Sequence, residues 1–331
     1  MARLRIGWIG CGTHANEMLL PQLTRYDVTL AGLCDLDEGR LAATALRFGV
    51  EPSRTTRDWR ALLARDDIDA IGIAAGPAAH AEIGRAAIER KRPVFIEKPP
   101  AATAAEAQKL ADAAARAGVP VVLGFMKRYS TANRIAANVI ASPEFGPAAS
   151  FLGQYMTAPT YFTKDPDYTG FYLHHCVHYF DLVPYLMGPV AEVSGRRHEL
   201  SPGKLIIHVN FRFVSGALGT LVVGTNQSRG TPMEWWQVMG DHRRVEVRNV
   251  HEVRYFRAPP FKVDRPEATL RDGEDTLVWE PNLTVAANED HKGYHALFAD
   301  FLAAARGENV RFPNATDGAR AMQLMEVVSA T

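Results

Sequence analysis

Three closely spaced histidines, His174, His175 and His178, give this chain a means of moving protons. Imidazole titrates near neutral pH, so a positioned histidine can remove a proton from an alcohol while a hydride leaves its carbon. His174 and His178 are four residues apart and would share a helix face, which Asp181 continues. His175 and Tyr179 would point elsewhere.

Two other interpretations of these histidines exist. A pair at this spacing can chelate zinc, and His291 and His295 repeat the spacing. No cysteine or carboxylate cluster completes either pair in a recognised motif, so we expect no metal site. The histidines would otherwise be satisfied by hydrogen bonds or lie on a solvated face.

A lysine follows the short apolar run Val94–Ile96, which is typical of a strand. Glu97, Lys98 and Pro99 come directly after it. Folds of alternating strands and helices bind ligands outside the carboxyl ends of their strands, which is where Lys98 would lie. The tripeptide alone is ordinary surface composition, so its significance depends on the rest of the chain.

A glycine turn opens the chain between a predicted strand and a predicted helix. Gly10 and Gly12 begin a G-x-G-x-x-A pattern that continues through Thr13 and His14. The first glycine permits a tight turn, and the second lets the backbone approach a pyrophosphate. The helix N-terminus then offers free amides to the phosphates. The pattern therefore predicts a dinucleotide site.

Asp35 follows the second predicted strand, close to the ~20-residue separation expected for an acid that binds the adenosine ribose. A carboxylate accepts both ribose hydroxyls and repels a 2′-phosphate. Leu36 and Asp37 follow, with no arginine beside them in the sequence. We therefore expect NAD in preference to NADP.

The first part of the chain alternates strand and helix signals, which predicts a parallel, doubly wound sheet. We expect residues 1–125 to form an NAD(P)-binding domain, with Thr13 available to cap the first helix. The predicted strands are Leu4–Ile9, Val28–Cys34, 68–74, Val94–Ile96 and 119–124. The predicted helices are 16–23, Glu38–Phe48, Trp59–Leu63, 78–90 and Ala104–Ala117.

The remaining residues, 126–331, predict an α+β domain with one large, mostly antiparallel open sheet. Residues 205–213 alternate apolar and polar side chains, which indicates a sheet with two differently solvated faces. Further strands are expected at 218–223 and around Val238, Val245, Val247 and Val253. Helices are expected at 133–141, 172–187, 291–306 and 316–328.

Composition excludes several classes of partner. The 37 basic and 37 acidic residues cancel, which argues against nucleic acid or an anionic membrane as partner. No apolar run reaches the roughly 18 residues of a membrane span, and no signal peptide is recognisable. Three unpatterned cysteines, Cys11, Cys34 and Cys176, fit a reducing cytoplasm.

The order of these signals resembles that of the glucose–fructose oxidoreductase/inositol dehydrogenase (Gfo/Idh/MocA) family, over nearly the whole chain. The resemblance is carried by Gly10-x-Gly12 with Asp35, by Glu97-Lys98-Pro99, and by residues 170–181 with His178 and Asp181. It implies a Rossmann domain followed by an open-sheet domain. It also implies an NAD(P)-dependent oxidoreductase that acts on sugars, polyols, inositols or nucleotide sugars.

The resemblance implies individual roles as well. Lys98 would donate a hydrogen bond to the reacting oxygen, and His178 would be the general base in oxidation and general acid in reduction. Glu97 and Pro99 would shape the turn beside the nicotinamide, and Asp181 would support the helix or the site. The implied cofactor-binding set also includes Ala75, His80 and Arg128, and the candidate substrate ligands are Lys127, Arg128, Tyr129, Tyr155, Tyr161 and Tyr172, with Lys98, His174, His178 and Asp181.

The chain departs from the family at two places. Its dehydrogenases usually carry an aspartate where this chain has His174, and we hypothesise that His174 contacts a substrate hydroxyl or acidic group instead. The loop 75–80 lacks the usual Thr-Pro-Asn before His80, which weakens the transfer of a cofactor role to His80.

Two alternative functions remain open at this point. Some relatives are glycosidases that use tightly held NAD for transient oxidation and elimination, and a regulator could keep the dinucleotide fold without chemistry. The open sheet predicts a homodimer or homotetramer, because large half-apolar faces usually find a partner.

Overall fold

The computed structural model describes residues 3–160, 162–228, 233–257, 276–281 and 291–330. The chain divides into two compact units. The first comprises Met1–Met126 and Tyr294–Glu326, and the second comprises Lys127–Gly293 and Val327–Thr331.

Strands and helices have the following bounds. The strands are β1 (Leu4–Ile9), β2 (Val28–Cys34), β3 (Thr55–Thr56), β4 (Ala70–Ile73), β5 (Val94–Ile96), β6 (Val121–Leu123), β7 (Ser150–Met156), β8 (Val190–Ser201), β9 (Lys204–Phe213), β10 (Leu218–Gly224), β11 (Met233–Met239), β12 (Arg244–Arg248), β13 (Glu252–Phe256) and β14 (Thr276–Trp279). The α-helices are α1 (Leu20–Leu23), α2 (Glu38–Phe48), α3 (Trp59–Leu63), α4 (Pro77–Glu89), α5 (Ala104–Ala117), α6 (Thr131–Ile140), α7 (Thr169–Phe171), α8 (Val177–Met187), α9 (Tyr294–Ala305) and α10 (Ala315–Ser329).

The first unit is built on a parallel sheet with strand order β3-β2-β1-β4-β5-β6. Every residue of β4 and β5 is buried, as parallel strands covered on both faces require. The predicted α/β Rossmann class is confirmed. The carboxyl ends of β1, β4 and β5 are neighbours along one edge, and this edge carries the glycine turn and Lys98.

Local capping explains why α2 and α5 have the bounds that the sequence predicts. Asp37 accepts a hydrogen bond from the amide of Arg40, and Thr103 accepts one from the amide of Glu106. Gly49 and Gly118 end the two helices at φ angles of 67° and 63°, in the left-handed region that glycine enters without steric cost. No helix in the described ranges has both the length and the apolar character to cross a membrane.

The first helix begins earlier than predicted. Helical geometry starts at Thr13, and the Gly12 carbonyl accepts the first bond, from the Asn16 amide at 3.0 Å. Thr13 is therefore inside the helix, and its predicted role as N-cap is wrong. The segment Ala15–Leu19 is π-helical before α1 continues the turn.

The C-terminal helices differ from expectation in their placement. We expected them in the second domain, whereas α9 and most of α10 belong to the first unit. Phe298 lies 4.7 Å from the ring of Phe95 on β5 and 6.2 Å from Trp8 on β1. These aromatic contacts cover the apolar parallel sheet, which explains why the chain returns to the first unit after the second.

The second unit contains the predicted large sheet, with order β14-β13-β12-β11-β7-β10-β9-β8. Neighbours are antiparallel except β10 and β7, which confirms a mostly antiparallel sheet. The alternation predicted for β9 is confirmed, because Leu205, Ile207, Val209, Phe211 and Phe213 are buried and the residues between them are not.

Candidate active site

The glycine turn has the geometry that a dinucleotide needs. Gly10 has a φ of 98°, and a Cβ added there would lie 2.3 Å from the Ala74 carbonyl oxygen. Only glycine therefore fits at this position. A Cβ at Gly12 would meet nothing within 4 Å, so the backbone there is open to a ligand.

Asp35 holds this turn from the end of β2. Its Oδ2 accepts a hydrogen bond from the Cys11 amide at 2.6 Å, and its Oδ1 accepts one from the Asp37 amide at 2.8 Å. Asn16 supports the same turn, because its Nδ2 donates to the Cys11 carbonyl at 2.9 Å. Asn16 could not be predicted from the sequence, since an asparagine inside a helix carries no signal of its own.

An arginine lies beside the segment that follows Asp35. The Arg57 Nε donates to the Leu36 carbonyl at 3.1 Å, and its Nη1 donates to Glu38 at 2.7 Å. Arg57 is not a neighbour of Asp35 in sequence, because it comes after β3, some twenty residues along the chain. The parallel pairing of β2 with β3 brings it to this edge.

The loop after β4 leads into α4. Gly76 precedes α4 without a side-chain cap, and a Cβ there would meet nothing within 4 Å. The half-buried Ala75 lies just before it. His80 lies in the first turn of α4 and is only 2% exposed, with its Nδ1 2.7 Å from the Pro99 carbonyl oxygen. Burial lowers the pKa of His80.

The residues Glu97–Pro99, here called the lysine turn, leave the carboxyl end of β5. The Glu97 amide donates to the Ile73 carbonyl at 2.8 Å, and the Lys98–Pro99 peptide is cis. The Lys98 side chain is 13% exposed, and its Nζ lies 3.9 Å from Glu97 Oε1. Lysine side chains are mostly exposed, so a lysine with so little exposure has a partner or a function.

The Glu97 carboxylate has a close-fitting place beside Lys98. A Cβ on Gly124 would lie 2.1 Å from Glu97 Oε2, so the carboxylate occupies the space that glycine leaves. His14 Nε2 lies 3.4 Å from Glu97 Oε1, and the His14 ring contacts Tyr294 edge-on at 5.7 Å. Oε2 is buried without a hydrogen-bond partner among the described residues.

In the second unit, the helix that carries the histidines changes its winding. Residues Tyr172–Cys176 are π-helical, between α7 and α8. Single π turns inside α-helices are frequent at functional sites. His174 lies in this turn and is half-buried, whereas His178 lies in α8 and is 5% exposed.

Arg128 and Asp181 form a buried ion pair. The Arg128 Nε and Nη2 donate to Oδ2 and Oδ1 of Asp181 at 2.8 and 2.5 Å, with side-chain exposures of 13% and 1%. Arg128 was expected to contact the cofactor or the substrate, and Asp181 to support the helix or to contact the substrate. The structure brings the two together, which fixes α8 one turn beyond His178.

The predicted tyrosines have different surroundings. The Tyr155 hydroxyl is 2.8 Å from Nδ1 of His175. Tyr172 is buried, and burial raises its pKa to about 12. Tyr161 lies outside the described residues.

The buried cation Lys127 lies near two of the tyrosines and forms an ion pair that the sequence did not predict. Lys127 Nζ is 2.7 Å from both carboxylate oxygens of Glu234, and it lies 5.1 Å from the ring centroid of Tyr179. Burial and the Glu234 charge raise the pKa of Tyr179. Glu234 is on β11, 107 residues from Lys127, so this pair could not be predicted from the sequence.

Family comparisons match both parts of the chain. The family described as "Oxidoreductase family, NAD-binding Rossmann fold" (GFO_IDH_MocA) matches residues 4–125. Its partner, "Oxidoreductase family, C-terminal alpha/beta domain", matches residues 154–330, which is more than half of the chain. The chain belongs to the Gfo/Idh/MocA oxidoreductase family.

Individual relatives are sugar and polyol dehydrogenases. An inositol 2-dehydrogenase of Salmonella typhimurium is 31% identical over 159 residues, 47% of each chain. A D-xylose 1-dehydrogenase (NADP(+)) of Haloferax volcanii is 30% identical over 46% of each chain. A myo-inositol 2-dehydrogenase of Thermotoga maritima is 24% identical over 75% of this chain and 76% of its own. The match to the Salmonella enzymes spans about half of their length.

Solved structures share the fold over the whole chain. A dehydrogenase from Chromobacterium violaceum has a TM-score of 0.85 at 24% identity, covering 100% of this chain and 95% of its own. Levoglucosan dehydrogenase in complex with NADH and L-sorbose has a TM-score of 0.82 at 22% identity, covering 99% and 96%.

The first unit fits a nicotinamide dinucleotide on its own geometry. The open positions at Gly12 and Gly76 expose two helix N-termini on one sheet edge, where phosphates bind. Asp35 lies beside the glycine turn at the end of β2, and a carboxylate in such a position can accept hydrogen bonds from ribose hydroxyls. Glu97 Oε2, which has no hydrogen-bond partner in the described part of the chain, is a buried acceptor at the same edge.

Proposed function

We propose that this protein is a dehydrogenase or reductase that acts on a sugar, an inositol or a sugar derivative. The observation that carries the proposal is the nearly buried Lys98, held at the carboxyl end of β5. The glycine turn lies at the end of β1, on the same edge of the same sheet. The names of the relatives, inositol, xylose and apiose dehydrogenases, support this substrate class.

The nicotinamide ring supplies a hydride acceptor in oxidation and a hydride donor in reduction. In the oxidising direction, Lys98 would donate a hydrogen bond to the substrate hydroxyl oxygen and stabilise the alkoxide as it develops. His178 would take the hydroxyl proton as the carbon loses its hydride, which leaves a carbonyl. In reduction, His178 would return the proton.

His174 would contact a substrate hydroxyl or an acidic group. It occupies the place where related dehydrogenases carry an aspartate, and it lies one helical turn before His178. An imidazole cannot supply the negative charge of an aspartate, but it can donate or accept a hydrogen bond. The half-buried Tyr155, with the buried Tyr172, would complete the substrate contacts on the same unit.

We propose NAD as the preferred cofactor. The Asp35 carboxylate would repel a 2′-phosphate, and the charge of Arg57 is already matched by Glu38 at 2.7 Å. The relevant measurement is calorimetric titration with NAD and NADP. NAD should bind at least ~10-fold more tightly, and an Asp35→Ser variant should narrow the difference. Equal affinities in the wild type would refute the preference.

We call the face of the second unit's sheet that carries Leu152 and Leu218 its outer face. This face would bind a second copy of the chain, as a homodimer or within a homotetramer. Leu152 and Leu218 lie on this face and are 38% and 60% exposed. No nucleic acid or membrane partner is proposed, because the formal net charge is zero.

The function is tested by turnover assays with NAD against a panel of sugars, inositols, polyols and sugar phosphates. We expect NADH formation with at least one class. Release of an aglycone from a glycoside without net NADH would indicate the glycosidase instead. NAD binding without turnover of any member would indicate a regulator.

A further inference from the structure

His80 is held in one protonation state by its surroundings. Its Nδ1 lies 2.7 Å from the carbonyl oxygen of Pro99. Because a carbonyl oxygen only accepts, Nδ1 carries the ring proton and donates it. Nε2 is then an unprotonated nitrogen, and it has no hydrogen-bond partner among the described residues. Protonating it would place a charge in a buried position.

The hydrogen bond acts on the lysine turn at a sensitive point. Pro99 follows Lys98 directly, so the position of its carbonyl sets the backbone on the C-terminal side of Lys98. On the other side, the Glu97 amide is held by the Ile73 carbonyl at 2.8 Å. Lys98 thus lies between two anchors, one on β4 and the other on α4.

The burial of His80 separates it from direct cofactor contact. At 2% exposure, the ring offers almost no surface to a ligand. The glycines at positions 12 and 76, by contrast, have open space beside them. The geometry therefore favours a role through the protein over the cofactor contact that the family resemblance implied.

We propose that His80 is a positioning residue for Lys98, acting through the hydrogen bond from Nδ1 to the Pro99 carbonyl. This inference rests on the proposed role of Lys98. A shift of about 1 Å in a group that stabilises a transition state can cost about 100-fold in rate. The effect of losing His80 should therefore fall on kcat and leave dinucleotide affinity unchanged.

Two variants separate the hydrogen bond from packing. His80→Leu removes the donor, and we expect kcat to fall about 30- to 100-fold while the Kd for NAD stays within about 3-fold. His80→Asn can place its amide nitrogen close to the position of Nδ1. It should restore at least about a third of the wild-type kcat. If Asn is no better than Leu, the hydrogen bond is not the cause.

A double-mutant cycle tests whether His80 acts through Lys98. In a Lys98→Met background, His80→Leu should change kcat by less than about 2-fold, because the group that it positions is gone. If the two losses multiply instead, His80 acts independently of Lys98 and the inference is overturned.

Nuclear magnetic resonance tests the role of His80 without an activity assay. The ¹⁵N shifts of His80 should show a protonated Nδ1 and an unprotonated Nε2 between pH 6 and 8. The Lys98 side-chain shifts should move in His80→Leu and return in His80→Asn. The opposite tautomer or unmoved Lys98 shifts would overturn the inference, even if the sugar panel fails and the proposed function falls with it.

Discussion

The Lys98 side chain is nearly buried, and its Nζ lies 3.9 Å from Glu97 Oε1. Substitutions of Lys98 therefore test its contribution to the reaction rate. Removing one donor to a developing oxyanion typically lowers kcat about 100- to 1,000-fold. We expect Lys98→Met to show a loss of this size while NAD affinity stays within about 3-fold. Lys98→Arg is the matched control, since it keeps the charge but not the geometry, and it should also be impaired. A Lys98→Met variant with near-wild-type kcat would remove Lys98 from the mechanism.

His174 lies where the family resemblance leads us to expect an aspartate, and the effect of a substitution there should depend on charge. In His174→Asp, a carboxylate would stabilise a protonated His178, so the acid limb of kcat/KM for oxidation should move to higher pH. His174→Asn is the control, because it removes the imidazole without adding charge and should leave that limb in place. Both variants should change substrate preference. Unchanged pH profiles and preferences would show that position 174 is not part of the site.

His80 also predicts how stability depends on pH. Burial lowers its pKa below the 6.5 of an unfolded histidine. Above pH 6.5 the ring is neutral in both states and contributes nothing. Below it, the unfolded chain binds a proton that the folded chain resists, so folding loses up to about 1.4 kcal/mol per pH unit. His80→Asn should therefore lose less Tm than the wild type between pH 7.5 and 5.5. His242→Asn, at an exposed position, should behave as the wild type does.

Among the elements, α8 depends on the ion pair between Arg128 and Asp181. Removing one partner of a buried pair leaves an uncompensated charge and costs about 3–5 kcal/mol. We expect Arg128→Ala and Asp181→Asn each to lower Tm by several degrees, and the double variant to lose clearly less than the sum. The comparison is Arg212→Ala, which breaks an exposed pair with Glu192 and should be nearly neutral. Additive losses would mean that the pair is not energetically coupled.

The elements show which parts of the fold sequence patterns can predict. Strands β2 and β5 and helices α2 and α5 have the predicted bounds, because buried apolar runs and capping residues are local signals. Strands β7 and β8 were missed. Most residues of β8 are exposed on this edge strand, so it lacks an alternating pattern. The π turn at Tyr172–Cys176 was also missed, since helical periodicity does not distinguish one inserted residue.

The candidate site also contains some residues that local sequence signals predict and others that they do not. Gly10, Asp35 and Lys98 follow strands β1, β2 and β5, and their positions at strand ends could be predicted because strand ends and glycine spacing are local signals. The pairing of Arg128 with Asp181, and of Lys127 with Glu234, joins residues 53 and 107 positions apart. Such contacts depend on tertiary packing, and a single sequence contains no direct record of it. The Arg57 contact beside Asp35 was missed for the same reason.

At the scale of the whole molecule, the order of the helices along the chain does not match the unit to which each one belongs. Helix α9 follows the second unit in sequence but packs its aromatic side chains on β1 and β5 of the first. Its apolar face indicated burial without indicating which sheet would be covered. A sheet buried on both faces needs more helical surface than α1–α5 supply, and α9 provides it.

The outer face of the second unit's sheet carries the last prediction, which concerns assembly. Leu218 on β10 and Leu152 on β7 lie on neighbouring strands of this face and are substantially exposed. In a two-fold assembly the same patch meets itself, so each added charge is placed against its own copy. We expect the wild type to sediment as a dimer or tetramer, and Leu152→Glu/Leu218→Glu to shift toward the single chain with an at least ~100-fold higher Kd. Leu46→Glu is the control, because Leu46 is 86% exposed on α2 of the first unit. A monomeric wild type, or equal dissociation by Leu46→Glu, would show that this face does not hold copies together.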